Sequence, residues 1–86
     1  MKDFNDLVFN VHPVFAGGYH AVMDFDNGYG VSVVNGQGSY TNGPDQYEVA
    51  ILKDGALCYD TPITDDVIGY NTQDDVTIIM KTCQQL

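Results

Sequence analysis

The sequence predicts an α+β domain: an antiparallel sheet of about four strands, arranged as two hairpins, with a C-terminal helix packed on one face. Three observations predict it. Two runs of apolar, β-branched and aromatic residues each fold over a glycine turn, at Asp26-Asn27-Gly28 and at Lys53-Asp54-Gly55. The period then changes near the end of the chain, where Val76, Ile79, Met80 and Cys83 recur at helical spacing. With 86 residues, 44% of them apolar, the chain suits a single domain (residues 1–86) with one modest core.

The first 18 residues read as an N-terminal arm or edge strand. Leu7, Phe9 and Val11 alternate as in a strand, while Asp6 to Phe9 would also fit one helical turn; Pro13 ends either element. Residues 19–60 hold the two hairpins. In the first, Tyr19–Phe25 and Tyr29–Val34 flank Asp26-Asn27-Gly28. A two-residue loop at Asn27-Gly28 would mix apolar and polar residues on each face. A three-residue loop pairs Phe25 with Tyr29, Met23 with Val31 and Ala21 with Val33, leaving Asp24, Gly30 and Ser32 on the other face. That register asks for a type I turn with Gly28 in the left-handed region. Residues 35–46 read as a long Gly/Asn/Ser/Pro loop with Tyr40 near its middle. In the second hairpin, Tyr47–Leu52 and Ala56–Asp60 flank the turn. The same three-residue pattern would pair Ile51 with Leu57 and Val49 with Tyr59 on the core face, with Leu52 left over for the arm to cover.

Residues 61–71 read as an acidic turn. Thr61-Pro62 stops the sheet, Thr64-Asp65-Asp66 resembles a helix start, and Gly69 ends it after one cycle. Thr72 to Asp75 repeats the start signal as a capping box, opening the helix at 72–86. Cys83 falls in its apolar stripe and reads as core filler. One helix covers one sheet face, so the other face is solvated or binds something.

The segments Phe25-Asp26-Asn27-Gly28-Tyr29-Gly30-Val31-Ser32-Val33, Tyr47-Glu48-Val49-Ala50-Ile51-Leu52-Lys53-Asp54-Gly55 and Leu57-Cys58-Tyr59-Asp60-Thr61-Pro62-Ile63-Thr64 together resemble a family of small accessory proteins encoded by tailed bacteriophages. Phe4 to Phe9 with His12-Pro13 is similar to the family's opening, so the resemblance covers nearly the whole chain. The family brings no assigned activity and no site residues. What the resemblance implies is context: a viral protein made in the host bacterial cytoplasm. By analogy with other small acidic phage proteins, it implies an inhibitor of a host enzyme, antiviral-defence nucleases included.

Charge sets the surface. Twelve acidic residues face three lysines and no arginine, for a net charge of -9. Such a surface repels nucleic acid and anionic membrane and attracts basic proteins. The opening residues do not read as a signal peptide, and no apolar run approaches a membrane span. Cys58 and Cys83 form no C-x-x-C pair, which fits reduced cytosolic thiols.

Catalytic constellations are not legible. His12 and His20 stand beside no nucleophile in sequence, and the set His12, His20, Cys58 and Cys83 has no compact zinc spacing. Asp24 to Gly28 resembles only the first residues of a calcium loop. Neither a metal nor a cofactor is expected. What does group is acid: Asp60, Asp65, Asp66, Asp74 and Asp75, around Tyr70. In helix first turns such carboxylates stabilise the helix locally. They also form a ridge that can occupy the nucleic-acid groove of a basic partner, with Tyr70 as an amphipathic anchor and Tyr40 as a further contact. The leading expectation is therefore a non-enzymatic inhibitor that binds a basic host protein through this ridge. A small-molecule or nucleotide-sequestering protein and a virion assembly protein are the alternatives. Exposed sheet edges permit a homodimer without demanding one.

Overall fold

A computed structural model describes residues 1–11, 18–35, 46–58, 60–61, 63 and 67–86. The strands are β1 (Asn10–Val11), β2 (Tyr19–Asp24), β3 (Tyr29–Asn35), β4 (Tyr47–Lys53), β5 (Ala56–Leu57) and β6 (Ile68–Asn71), followed by the helix α1 (Gln73–Cys83). They form one antiparallel sheet in the order β1-β2-β3-β4, with β5 and β6 sharing the outer edge of β4. The α+β class with a C-terminal helix on the sheet is as expected; β1 and β6 extend the two-hairpin sheet.

The first hairpin has the register that face segregation demands. Met23 pairs with Val31 and Ala21 with Val33. The Phe25 N–H donates to the Tyr29 carbonyl at 2.7 Å, the Gly28 N–H donates to the Phe25 carbonyl, and Gly28 has φ 86°. The second hairpin differs from expectation. Leu52 pairs with Leu57 and Lys53 with Ala56, so the loop is the two residues Asp54-Gly55, at φ 51° and 83°. Two consecutive positive φ values make the turn whose twist matches a hairpin, and Asp-Gly is a favoured pair for it. Face segregation misled here because Val49, Ala50, Ile51 and Leu52 are all buried, which removes the alternation that fixes register. Leu57 is consequently 57% exposed rather than in the core; Val49 pairs with Ile68, and Tyr59, its expected partner, lies outside the described residues.

The core lies between the sheet and α1. Val31, Val33, Val49 and Ile51 from the sheet meet Val76, Met80 and Cys83 from the helix, with Phe25 at one end. Burying these side chains contributes roughly 1.5–3 kcal/mol each. Thr72 caps the helix: its hydroxyl accepts from the Asp75 N–H, and the Asp75 carboxylate accepts from the Thr72 N–H at 3.0 Å. At the other end the Asn27 amide donates to the carbonyls of Cys83 and Leu86, so the first hairpin turn satisfies helix C-terminal acceptors.

The N-terminal arm lies on the helix side. A short 3-10 turn at Phe4–Asp6 is capped by Asp3. The Phe4 N–H donates to the Thr77 hydroxyl, and Lys2 exchanges two hydrogen bonds with the Gln84 side chain. Phe4, Leu7 and Phe9 pack against the core cluster, so the arm belongs to that side of the sheet and not to Leu52.

Candidate partner-binding face

The outer edge of β4 organises the site. β5 leaves that edge after Leu57, and the chain regains it at Ile68. Ile68–Asn71 is therefore a strand where the expected acidic turn over 61–71 would end; Asp65 and Asp66 of that turn lie outside the described residues. A valine and an isoleucine ahead of the glycine favour extended backbone, and an unfilled edge of β4 offers hydrogen-bond partners. The strand is bulged: Val49 pairs with Ile68 and Tyr47 with Asn71, so Glu48 alone stands opposite Gly69 and Tyr70.

Tyr70 takes up the bulge at φ 61°. This is left-handed backbone, unusual for a bulky side chain. Its ring is 59% exposed. Next to it, Asn71 is buried, and its amide donates to the carbonyls of Ile68 at 2.7 Å and Tyr47 at 3.1 Å. A side chain thus supplies donors to carbonyls at the two ends of the irregularity, and Tyr70 is presented on a clamped platform.

The acids separate by role. Asp75 is engaged in the capping box, so the local explanation of its charge holds. Asp74, one residue earlier in the first turn, is exposed. Asp60 is exposed beyond β5. Tyr40, Asp65 and Asp66 lie outside the described residues. The structure thus puts Tyr70, Asp74 and Asp75 within one strand end and the following helix turn.

Beside them is a groove of about 460 Å³ that sequence reasoning missed. Ile63, Ile68 and Asn71 form one wall; Asp75, Ile78, Ile79 and Thr82 of α1 form the other. Ile78 is 62% exposed. The one signal for it was an isoleucine just off the helix stripe of Val76, Ile79, Met80 and Cys83.

A second cavity, of about 420 Å³, lies at the end of the sheet where Tyr19, Asn35 and Tyr47 meet the arm residues Phe4 and Phe9. The rings of Phe4, Phe9 and Tyr47 are mutually in contact, with centroids 5.1–5.8 Å apart. The Asn35 amide donates to the Gln46 carbonyl at 2.8 Å, between the end of β3 and the start of β4.

Titratable chemistry is sparse. Burial, with the nearby Cys58 thiol, pushes the Cys83 thiol up to about 11, so Cys83 is a protonated core group at neutral pH. His20 pairs with Val34 next to the inward-facing Ala21, which puts it on the sheet face away from the helix and Cys83. The four-residue zinc set cannot converge for that reason, and His12 lies outside the described residues. Among the described residues no three of His, Cys, Asp and Glu are grouped to hold a metal. Among them, no helix is long and apolar enough to cross a membrane.

Compared with known proteins, the chain matches no family model, no curated protein and no solved structure.

Proposed function

We propose that this is a non-enzymatic binding protein, a small acidic phage accessory protein that inhibits a basic host protein in the bacterial cytoplasm. The partner is a protein whose cationic surface normally serves nucleic acid or antiviral defence. The observation that carries the reading is Tyr70: an exposed aromatic ring held at φ 61° on a clamped bulge, beside the exposed Asp74. Left-handed backbone under a bulky side chain costs of order 1 kcal/mol, and such strain concentrates where a side chain is held for use. The net charge of -9 and the resemblance to phage accessory proteins support the same reading.

The test is a tagged pull-down from bacterial lysate, washed at low and high salt, with the bound proteins identified by mass spectrometry. One stoichiometric partner that salt releases is expected, since exposed charges are screened. Tyr70→Asn and Asp74→Lys should each lose that partner with the fold intact, because Asn tolerates left-handed backbone and Asp74 is exposed. Capture that is unchanged by both variants refutes the reading.

The aromatic cavity favours a second reading. Four rings and the Asn35 amide group around about 420 Å³ suit a planar small molecule. Native mass spectrometry of the purified protein, with Tyr47→Ala as control, decides between the two.

A further inference from the structure

We infer that the groove between β6 and α1 seats a protein segment that carries aliphatic side chains flanked by lysine or arginine. The inference rests on the partner-binding reading above and says which surface of the partner is bound. An acidic face alone would suit any polycation. This groove adds an apolar floor made by Ile63, Ile68, Ile78 and Ile79 within about 460 Å³, and Ile78 is 62% exposed. Exposed aliphatic surface that lines a concavity, rather than standing singly, marks an interaction site.

Charge complementarity selects the occupant. Every residue that lines the groove falls between 63 and 82. Within that span the described charged residues are Asp74 and Asp75 against the single cation Lys81, in a chain of net charge -9. Asp75 stands in the groove wall and Asp74 is exposed beside it. The rim therefore favours cations while the floor favours methyl groups. A second copy of this chain fits poorly, because it would oppose two chains of net charge -9.

Backbone geometry selects the mode of recognition. Among the described residues β6 pairs only with β4, so its outer edge would invite an added strand. The bulge at Gly69 and Tyr70 breaks that edge within its four residues. Recognition through side chains laid into the groove, as by an amphipathic helix, is what remains.

The experiment titrates the full-length, nitrogen-15-labelled protein with two model helical peptides of equal length, one of leucine and lysine and one of leucine and glutamate, and follows backbone amide shifts at low and high salt. The lysine peptide should shift the amides of Ile68, Asn71, Asp75 and Ile78 saturably, and the glutamate peptide should not. Ile78→Asp should weaken the lysine peptide by about tenfold or more. Ile78→Gln, a milder change at an exposed position, should weaken it in the same direction. Asp74→Lys should weaken it at low salt and much less at high salt. Equal response to both peptides, or binding unaltered by both Ile78 variants, overturns the inference. If Asp74→Lys alone weakens binding, the groove is refuted and the acidic-face reading stands. If neither peptide binds anywhere, both readings fail. Concentration-dependent shifts of the same amides without peptide overturn it in favour of self-association.

Discussion

Replacing Asn71 tests the clamp on which the candidate site is built. The Asn71 amide donates to the carbonyls of Ile68 at 2.7 Å and Tyr47 at 3.1 Å, and the residue is 6% exposed. Each bond is worth about 1 kcal/mol net, and a partly buried carbonyl left without its donor adds to the loss. Asn71→Ala should therefore cost about 2–3 kcal/mol. A domain of this size has roughly 4–13 kcal/mol in all, and the loss corresponds to about 10–20 °C in Tm. The assay is urea unfolding followed by far-ultraviolet circular dichroism and tyrosine fluorescence, since the chain has no tryptophan. Asn71→Asp supplies an internal sign check. It keeps the shape but turns the donor into an anion facing two carbonyl oxygens. It should cost more than alanine at neutral pH and recover part of the difference in acid, where the carboxyl carries a proton to donate. A loss below about 0.5 kcal/mol for alanine, within the range of an ordinary surface change, refutes the clamp. So does an aspartate variant that is as stable as the parent.

Two further outcomes follow from the same structure. Asn27→Ala removes donation to the Cys83 and Leu86 carbonyls and acceptance from the Tyr29 N–H, so it should cost about 1–2 kcal/mol. Faster amide exchange just past the helix, at Gln84 and Gln85, is the local readout. For Cys83, burial raises the thiol from 9.0 to about 11 in the folded state. A raised folded value gives stability that is fully present below pH 9 and is lost as pH climbs toward 11. The loss is at most about 2–3 kcal/mol. Unfolding titrations across that range should show the decline in the parent and a shallower one in Cys83→Ala. At neutral pH a thiol reagent should modify the half-buried Cys58 readily and Cys83 only as fast as the protein opens.

How far each element was legible depends on whether one signal or two acted on it. The first hairpin was legible because turn chemistry and face segregation agree around Asp26-Asn27-Gly28. The helix was legible because Thr72, Asp75 and the stripe from Val76 to Cys83 are local signals that one helix satisfies by itself. The second hairpin was misread because the two signals conflict: Asp54-Gly55 names a two-residue turn, while the doubly buried Val49–Leu52 run carries no usable alternation. The third strand pair of β4 was not legible at all. Its partner Ile68 lies far along the chain, and no turn signal joins it to β4 as Asp54-Gly55 joins β5. The groove escaped notice for a related reason. Its walls come from β6 and α1, and no periodicity within either predicts the concavity between them.

The bulge explains why neighbouring residues here serve different ends. Asn71 points into the protein and holds carbonyls of two strands, so Tyr70, one position earlier on a distorted edge, is displayed outward. The helix start repeats the division: Asp75 is turned back to the Thr72 N–H, and Asp74 faces solvent. A test of the acidic face that reverses Asp74 and Asp75 together would therefore confound two effects. Lysine at 75 removes the carboxylate acceptor from the cap and places a cation at the positive end of the helix, each a cost of about 0.5–2 kcal/mol. Lost binding in that variant would follow from a frayed helix as readily as from a lost contact. Asp74→Lys keeps the capping box and carries only the helix-dipole cost of about 0.3–1 kcal/mol, and Tyr70→Asn keeps the left-handed backbone. Those two substitutions therefore separate recognition from folding.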